Sequence, residues 1–305
     1  MEGIGAFWKP KNITSFSSLK IIKSFLKEEK IGHGGTLDPF AEGILVFAIR
    51  KKYTKKLEKI LKDSEKEYLA KIILGSVSTT DDLKGEIIKI KVKKIPQKEE
   101  ILNTLKFFEG EILQIPPKFS AIKIKGKRSY ILARKGEDFK LKPRKVFIKK
   151  IELINYSFPE LEIKIICGSG VYIRSLAKDI GEKLWVGAYL KELIRERIND
   201  FQKEVALEIE DLKNNFLELE ILISGRVQRV GFRAFSKILA FRYKIFGFSE
   251  NLSDGKVRIL AQGGIENLNN FLEEIKKGTP LSKIEDTFVK ILKPKIIFNE
   301  FKIKL

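Results

Sequence analysis

The sequence predicts an α+β protein with two domains, and three observations lead to that prediction. The chain of 305 residues is long for one domain, and its hydrophobic fraction of 43% is ample for ordinary cores. Alternating apolar residues typical of strands are mixed with apolar faces typical of helices over residues 1–213. Beyond residue 217 the predicted order is β-α-β-β-α-β, the split ferredoxin-like arrangement.

The first predicted domain, residues 1–213, mixes helices and strands in a way that favours a mixed, mainly antiparallel sheet. Apolar positions over 16–26 predict a helix with Ser15 or Ser17 as its N-cap. A lysine-dense stretch over 51–66 predicts an amphipathic helix with a solvated basic face. The remaining elements are strands at 66–74, 86–92, 144–155 and 161–167 and helices at 98–108 and 174–183.

The second predicted domain, residues 217–305, follows a polar segment at 205–216 that we interpret as the boundary. A helix starts at Phe232, an Asp254-Gly255 pair signals a hairpin, and Gly278 ends a second helix. Strands fill the intervals at 217–223, 245–250, 257–261 and 287–292.

Composition excludes several classes of protein. The single cysteine, Cys167, rules out an intramolecular disulfide and lies in a strand-like alternation typical of an inert core residue. Since His33 is the only histidine, we expect neither a zinc site nor a thiolate cluster. No apolar run is long enough to cross a membrane, and the sequence begins without the basic start of a signal peptide. We therefore expect a cytoplasmic protein.

The chain is strongly basic, with a formal net charge of +20. Residues 217–305 hold 16 Lys and Arg against 10 Asp and Glu, so most of the excess lies in the first two thirds. Such a field attracts phosphate backbones. Because lysine and isoleucine are frequent throughout, base composition of the genome explains the charge as well, and charge does not choose between RNA and DNA.

The segment Gly32–Pro39 has three glycines within four positions and one carboxylate, Asp38, directly before a proline. Glycine permits tight turns, and Pro39 biases Asp38 towards an extended backbone. We therefore expect a rigid loop carrying an acid. In a basic protein this favours chemistry on a polyanion, although the segment alone fits an ordinary surface turn equally well.

Five short motifs follow one another along the first domain. They are Trp8–Ser15, Gly32–Gly43, Glu67-Tyr68, Ile115–Lys123 with Gly126 and Tyr130, and Gly168–Ala177. In this order they resemble the TruB family of tRNA pseudouridine-55 synthases. The second motif resembles the family's GHxGTLDPxAxG block almost residue for residue. The first departs from the KPxGxTS pattern, since Asn12 and Ile13 stand where a glycine is usual.

The resemblance implies an enzyme that isomerises uridine in the T-loop of tRNA without a metal or cofactor. Asp38 would attack the uridine, or stabilise and deprotonate the ribose, and the sequence leaves these routes open. Arg174 would hold the Asp38 carboxylate, and Tyr68 would stack on the target base. Apart from the family, a surface arginine and a half-buried strand tyrosine are the ordinary interpretations.

The target base lies inside a folded RNA loop, so it must be extruded before the reaction. By the resemblance, His33 fills the gap that the extruded base leaves. Three further residues are implied to contact the nucleoside or the RNA: Tyr172, Leu193 and Lys9. The segment Gly75–Asp82 departs from the family's GxxTDTxDxxG pattern, because Thr79 replaces the first acid while Asp82 keeps the later one. This change concerns one RNA-facing loop.

The second domain resembles acylphosphatase. Gly225–Arg233 is similar to the family's G-x-V-Q-G-V-G-F-R loop, with Arg229 in place of a glycine, and Asn251 matches the asparagine of its NxxDG turn. A loop before a helix offers N–H groups to a phosphate, Arg233 adds a cationic fork, and the Asn251 amide orients water. The domain stands where related synthases often carry a PUA domain.

Three functions remain open at this stage. The first is pseudouridylation of the tRNA T-arm by a monomer, with a C-terminal domain that hydrolyses a small acyl phosphate. The second is a tRNA-binding or RNA-folding protein whose C-terminal domain is a non-catalytic phosphate- or RNA-binding module, with Arg226 and Arg229 as contacts. The third makes acyl phosphate hydrolysis the main role.

Overall fold

The computed structural model describes residues 1–120, 122–124 and 126–304, so Ala121 of the fourth motif lies outside it. The strands are β1 (Gly3–Lys9), β2 (Ile31–Gly34), β3 (Glu42–Ile49), β4 (Lys66–Leu74), β5 (Ser76–Ser78), β6 (Ile87–Lys89), β7 (Gly110–Gln114), β8 (Lys123–Ile124), β9 (Lys127–Arg128), β10 (Arg144–Ser157), β11 (Glu160–Cys167), β12 (Ala188–Ile198), β13 (Phe201–Gln202), β14 (Phe216–Arg226), β15 (Phe246–Asn251), β16 (Val257–Gly264), β17 (Lys283–Leu292) and β18 (Phe301–Ile303). The helices are α1 (Ser15–Leu26), α2 (Lys51–Lys62), α3 (Lys98–Phe107), α4 (Ser129–Arg134), α5 (Ile173–Lys183), α6 (Ile209–Lys213), α7 (Phe232–Arg242) and α8 (Ile265–Ile275).

The chain forms two compact units. The first contains residues 1–61 and 200–305, and the second contains residues 62–199. The predicted boundary at 213–217 lies inside the first unit, because β1 pairs in parallel with β17, with Ile4 opposite Lys290. The first 61 residues therefore pack with the C-terminal domain, a grouping that the sequence did not indicate.

The sheet of the first unit has the order β18-β15-β16-β14-β17-β1-β3, and β2 pairs with β3. The β1–β17 and β15–β18 pairs are parallel and the other pairs are antiparallel. Elements β14-α7-β15-β16-α8-β17 confirm the predicted ferredoxin-like order. Apolar residues at alternate strand positions are fully buried between this sheet and its helices, among them Ile221, Ile259 and Val289.

The second unit is built on the antiparallel order β12-β4-β11-β10-β7. On β4 every second residue is buried, as the pattern of Lys66–Leu74 predicted. Helix α5 lies on β12, and its Leu176 and Ala177 are completely buried. The mixed, mainly antiparallel sheet is thus confirmed, with hairpin β5–β6 outside the main sheet.

Several element ends differ from the prediction. The N-cap of α1 is Thr14, whose Oγ1 accepts from the Ser17 amide at 2.9 Å, so the prediction of Ser15 or Ser17 as the cap was wrong. Helix α2 ends at Lys62, and β6 is shorter than predicted. His33 lies on strand β2, opposite Phe47 of β3, and not on a loop, because the small residues around it allow a strand as well as a turn.

Candidate functional sites

Buried side chains of the first unit fix the segment that carries Asp38. The backbone leaves β2 at Gly34 and turns at Gly35, whose φ of 68° favours glycine. The Ser15 hydroxyl donates to the Leu37 carbonyl at 3.1 Å and accepts from the Leu37 amide at 3.0 Å. Since Ser15 and Leu37 are both buried, the residue before Asp38 is held from two sides while Asp38 itself is half-buried.

Lys9 holds the other side of the same segment. Its side chain is fully buried at the end of β1, and its ammonium donates to the carbonyls of Pro10 at 2.8 Å, Ile13 at 2.9 Å and Pro39 at 3.3 Å. The Asn12 amide also donates to the Pro39 carbonyl. Burial and these partners favour a positioning role for Lys9 over the RNA contact that the resemblance implies.

Arg174 lies in the second unit at the start of α5, with 5% of the residue exposed. Its guanidinium donates to the carbonyl of Phe119 at 2.9 Å and to that of Thr80 at 3.4 Å. A carboxylate oxygen of Asp82 lies 3.4 Å from Nη1 of Arg174. Because both members of this ion pair are buried, each fixes the other more strongly than an exposed pair does.

The ion pair of Asp82 with Arg174 was not predicted from the sequence. Asp82 is 5% exposed, and its second carboxylate oxygen accepts from the Thr80 hydroxyl at 2.7 Å and from the Lys84 amide at 2.9 Å. The later acid of the GxxTDTxDxxG-like segment was the available signal, and it was assigned to an RNA-facing loop. The structure instead uses that acid to orient Arg174.

The side chain of Gln114, the last residue of β7, fixes the backbone at the start of α5. The Gln114 side chain accepts from the Tyr172 amide at 2.8 Å and donates to the Tyr172 carbonyl at 3.1 Å. One turn later, the Ser175 hydroxyl donates to the Ile115 carbonyl at 2.7 Å. The fourth and fifth motifs therefore meet, and they fix the backbone on both sides of Arg174.

Strand pairing in the second unit brings Tyr68 and Leu193 to one buried face. Tyr68 of β4 stands opposite Arg195 of β12, and Leu193 stands opposite Ala70. Tyr68 is 6% exposed and Leu193 is 5% exposed, so both side chains lie on the buried face of this sheet. Arg195 is also buried there, although no motif had indicated it.

Lys66, the first residue of β4, is a buried cation in addition to Arg195. Its ammonium donates to the Ser169 hydroxyl at 2.8 Å. Burial, together with the charge of Arg195, lowers the pKa of Lys66 to about 8. Burial also raises the pKa of the neighbouring Cys167 thiol to about 12, which agrees with the inert core residue that was predicted.

The predicted site residues thus divide between the two units. Lys9, His33 and Asp38 belong to the first unit, where the Asp38 segment is fixed by Ser15 and Lys9. Tyr68, Tyr172, Arg174 and Leu193 belong to the second unit.

A second candidate site lies in the C-terminal domain, on the loop between β14 and α7. Gly225, near the end of β14, has a φ of 118°, Arg229 in the loop has a φ of 60°, and Gly231, the N-cap of α7, has a φ of 74°. Such left-handed positions turn successive backbone N–H groups towards one side, which makes an anion-binding concavity. Arg226 and Arg229 are exposed on this loop.

Gln228 joins this loop to the turn that follows Asn251. Its side-chain amide donates to the carbonyls of Leu252 at 2.8 Å and Lys256 at 2.9 Å. Asn251 itself is exposed at the end of β15. Arg233 is half-buried in the first turn of α7, and its guanidinium donates to the Lys304 carbonyl at 2.7 Å. The two acylphosphatase-like motifs are therefore neighbours in the fold.

Among the described residues there is neither a group of metal-ligating side chains nor a membrane-spanning helix. In residues 1–120, 122–124 and 126–304, no three His, Cys, Asp or Glu side chains are grouped so that they could hold a metal ion. Over that same part of the chain, none of the helices has the length and apolar character needed to span a bilayer.

Comparisons with known proteins match this chain to two families. The family model of the TruB pseudouridylate synthase N-terminal domain matches residues 23–173, and the acylphosphatase model matches residues 219–303. tRNA pseudouridine synthase B of Clostridium tetani is 41% identical over 218 residues, which cover 72% of this chain and 75% of that protein. The same enzyme of Dehalococcoides mccartyi is 43% identical over 213 residues and 70% of each chain.

Among solved structures, the archaeal box H/ACA sRNP Nop10–Cbf5 complex matches 70% of this chain and 53% of that chain, with a TM-score of 0.51 and 28% identity. The fold is thus that of a pseudouridine synthase. The chain belongs to the tRNA pseudouridine synthase B family, and it carries an acylphosphatase-family domain at its C-terminal end.

Proposed function

We propose that this protein isomerises uridine to pseudouridine at position 55 in the T-loop of tRNA, with Asp38 as the nucleophile. The observation that carries the proposal is the clamp on the Asp38 segment, in which Ser15 and Lys9 hold the residues on either side. Such support suits a side chain that must be aimed at one atom. The relatives of this chain, named as tRNA pseudouridine synthase B, support tRNA as the substrate.

The reaction breaks the bond between C1′ and N1 and forms one between C1′ and C5. An ionised carboxylate attacks without a partner base, because its reference pKa of about 3.9 keeps it charged near neutral pH. The Asp38 carboxylate attacks C1′ as N1 leaves. After the base rotates, C5 bonds to C1′ and displaces the carboxylate, C5 loses its proton and N1 gains one, so the reaction is a net isomerisation. Asp82 orients Arg174, whose guanidinium would bind a negatively charged group, and Tyr68 would stack on the base.

The test compares wild type with Asp38→Asn on a T-arm hairpin that contains uridine, followed by mapping of any isomerised position. We expect product at one uridine with wild type, none with Asp38→Asn, and equal RNA binding by both. Product from Asp38→Asn would contradict the role of Asp38. Binding without product from wild type would favour the second function, a tRNA-binding or RNA-folding protein.

We propose acyl phosphate hydrolysis as a second activity, because Gln228 holds the phosphate loop against the Asn251 turn. Backbone N–H groups and Arg233 would bind the phosphate, and Asn251 would orient a water that attacks phosphorus while the carboxylate leaves.

Benzoyl phosphate is a suitable substrate with which to test this second activity. We expect Arg233→Ala and Asn251→Ala to abolish its hydrolysis, and equal rates with wild type would leave a binding module only. Action as a cytoplasmic monomer stays a prediction.

A further inference from the structure

An exposed tryptophan occupies a backbone position that favours glycine. Helix α5 ends at Lys183, and Trp185 follows with a φ of 61° and 91% of its surface exposed. The amides of Val186 and Gly187 both donate to the Gly181 carbonyl, which closes the helix end around Trp185. Every residue with a Cβ is disfavoured in this left-handed conformation, and glycine is usual there.

Nothing in the described part of the chain compensates for this placement. Among the described residues, no side chain stacks on the Trp185 indole and no group hydrogen-bonds to its N–H. A tryptophan gains stability by burial or by contact, and here it gains neither within the chain. An external ligand that contacts the indole accounts for the residue.

The turn that carries Trp185 packs against a basic hairpin. The Gly75 amide, just before β5, donates to the Gly187 carbonyl at 3.1 Å. A Cβ on Gly187 would lie 3.1 Å from Cγ1 of Ile90, which follows β6. Residues 84–94 contain five lysines and one glutamate. We use the name Trp185 surface for this turn together with the exposed residues of the hairpin segment that Gly187 contacts, namely Trp185, Ile88, Ile90, Lys89, Lys91 and Lys93.

This surface is both basic and apolar. Ile88 is 49% exposed and Ile90 is 37% exposed, between lysines that are also exposed. Within the described residues, Lys89, Lys91 and Lys93 have no carboxylate within 4.0 Å, whereas Lys94 pairs with Glu100 at 2.8 Å. Three cations without counter-ions attract an anionic chain and repel a second copy of the same surface.

The hairpin β5–β6 also contacts the Arg174 site through its connecting loop. Its connecting loop contains Asp82, the partner of Arg174. The Leu190 amide on β12 donates to the Asp81 carbonyl at 3.1 Å, which holds the loop against the sheet. A chain bound at the Arg174 site has the loop of this hairpin beside it.

We propose that the Trp185 surface is an RNA-binding site, where the indole stacks on an unpaired base and the lysines contact phosphates. This inference rests on the proposed isomerase function, since it assigns the RNA substrate a contact outside the reacting nucleoside. Aromatic stacking and lysine contacts together are the common means of holding a single RNA strand.

The decisive variant is Trp185→Gly, because stability and RNA binding should change in opposite directions. Glycine suits a φ of 61°, so we expect a higher Tm. Loss of one stacked base should weaken T-arm binding by about five-fold or more, the lower end of 1–3 kcal/mol per base. Trp185→Phe, which keeps an aromatic ring, should bind within about two-fold of wild type. A lower Tm with unchanged affinity for Trp185→Gly would show a structural role and overturn the proposal.

Fluorescence gives a second measurement, because Trp8 is the only other tryptophan. In a Trp8→Phe background, stacking on a base should quench the emission of Trp185 as T-arm RNA is added. Emission that does not change at saturating RNA would overturn the stacking assignment. A concentration-dependent change without RNA would mean that a second copy occupies the surface, and would likewise overturn the proposal.

The lysines are tested through salt dependence. We expect the triple variant Lys89→Gln/Lys91→Gln/Lys93→Gln to lower the slope of log affinity against log salt by roughly 0.7–0.9 for each lysine that contacts a phosphate. An unchanged slope would contradict the phosphate contacts. Phe241→Ala is the matched control, since Phe241 is 90% exposed but lies in the first unit, and its RNA affinity should equal that of wild type.

Wild-type activity separates this inference from the proposed function. If wild type isomerises the T-arm while Trp185→Gly keeps the KM and kcat of wild type, only the Trp185 surface is refuted. If wild type binds the T-arm through Trp185 but forms no pseudouridine, the isomerase proposal fails and the RNA-binding site stands.

Discussion

Two glycine-rich segments of the first unit carry the proposed chemistry, and they are held in different ways. The Asp38 segment is clamped by the buried side chains of Ser15 and Lys9. The phosphate loop at Gly225–Gly231 depends instead on its own left-handed backbone, with Gln228 as its main side-chain tie. A carboxylate that reacts at one atom needs side chains to hold its segment in place, whereas an anion-binding loop depends first on the shape of its backbone, to which a side chain such as Arg233 adds charge.

The largest effect is expected from Gly225→Ala, which tests the backbone side of this comparison. A Cβ at Gly225 would lie 2.2 Å from the Lys283 carbonyl oxygen, at a φ of 118°. We expect a loss of roughly 4 kcal/mol in the free energy of unfolding, measured by urea denaturation. The control is Gly255→Ala, which has a φ of 86° and open space, and should cost about 1 kcal/mol. Equal losses would mean that close approach is unimportant at Gly225.

Lys9→Met tests the side-chain clamp. The change removes the buried ammonium from three carbonyls, of which only Pro39 keeps a described donor, the Asn12 amide, and we expect a loss of about 3 kcal/mol in stability. The kcat for isomerisation should fall by more than RNA affinity, because the Asp38 segment loses its aim. Lys11→Met is the control, since Lys11 is 41% exposed and pairs with Glu42 at 3.5 Å. A fall in RNA affinity alone would restore the RNA contact that the sequence implied.

Ser15→Ala removes both bonds to Leu37, and we expect a smaller loss of about 1–2 kcal/mol together with a lower kcat. The measurement is single-turnover isomerisation of the T-arm beside thermal unfolding. Ser24→Ala on the same helix is the control, because its hydroxyl donates to the Ile21 carbonyl on an exposed face. An unchanged kcat in Ser15→Ala would show that the bonds to Leu37 stabilise the fold but do not position Asp38 for the reaction.

The smallest effect concerns Asp286, where the C-terminal domain meets α2. Burial alone would raise the pKa of Asp286, but hydrogen bonds from Lys52 and Lys56 lower it to about 2. The folded pKa thus lies below the unfolded value of about 3.9, so the stabilisation is present above pH 4 and disappears as the pH falls towards 2.

We therefore expect Asp286→Asn to be less stable than wild type at pH 7 by less than about 1 kcal/mol, since the carboxylate is 46% exposed and screened. The difference should vanish at pH 2 in denaturation curves collected across that range. Asp138→Asn, at a carboxylate that is 91% exposed, should match wild type throughout. A constant difference at every pH would exclude the ion pairs as its cause.

The ferredoxin-like order was readable because each strand and helix after residue 217 has its own period of apolar residues and a local turn signal. The strand that carries Tyr68 and the helix that begins beside Arg174 were predicted from the same kind of local pattern. The cap of α1 was misassigned because three neighbouring residues, Thr14, Ser15 and Ser17, all have hydroxyls. Local sequence does not tell which of them faces the helix and which faces Leu37.

The partners of the functional residues were not readable. Asp82 and Arg174 are 92 positions apart, and Lys9 reaches Pro39 across 30 residues. Contacts of this kind have no signature in a single sequence, since many acids and carbonyls are equally suitable before the chain is folded.

The sequence by itself determined the elements, the two families and the chemical groups, because periodicity, turn residues and motifs are properties of neighbouring positions. The tertiary structure alone decided that β1 pairs with β17, that Asp82 orients Arg174 and that Trp185 borders a lysine-rich hairpin. Each of these depends on which distant segments share the limited space of one packed unit, and that is settled only when the whole chain buries its apolar surface.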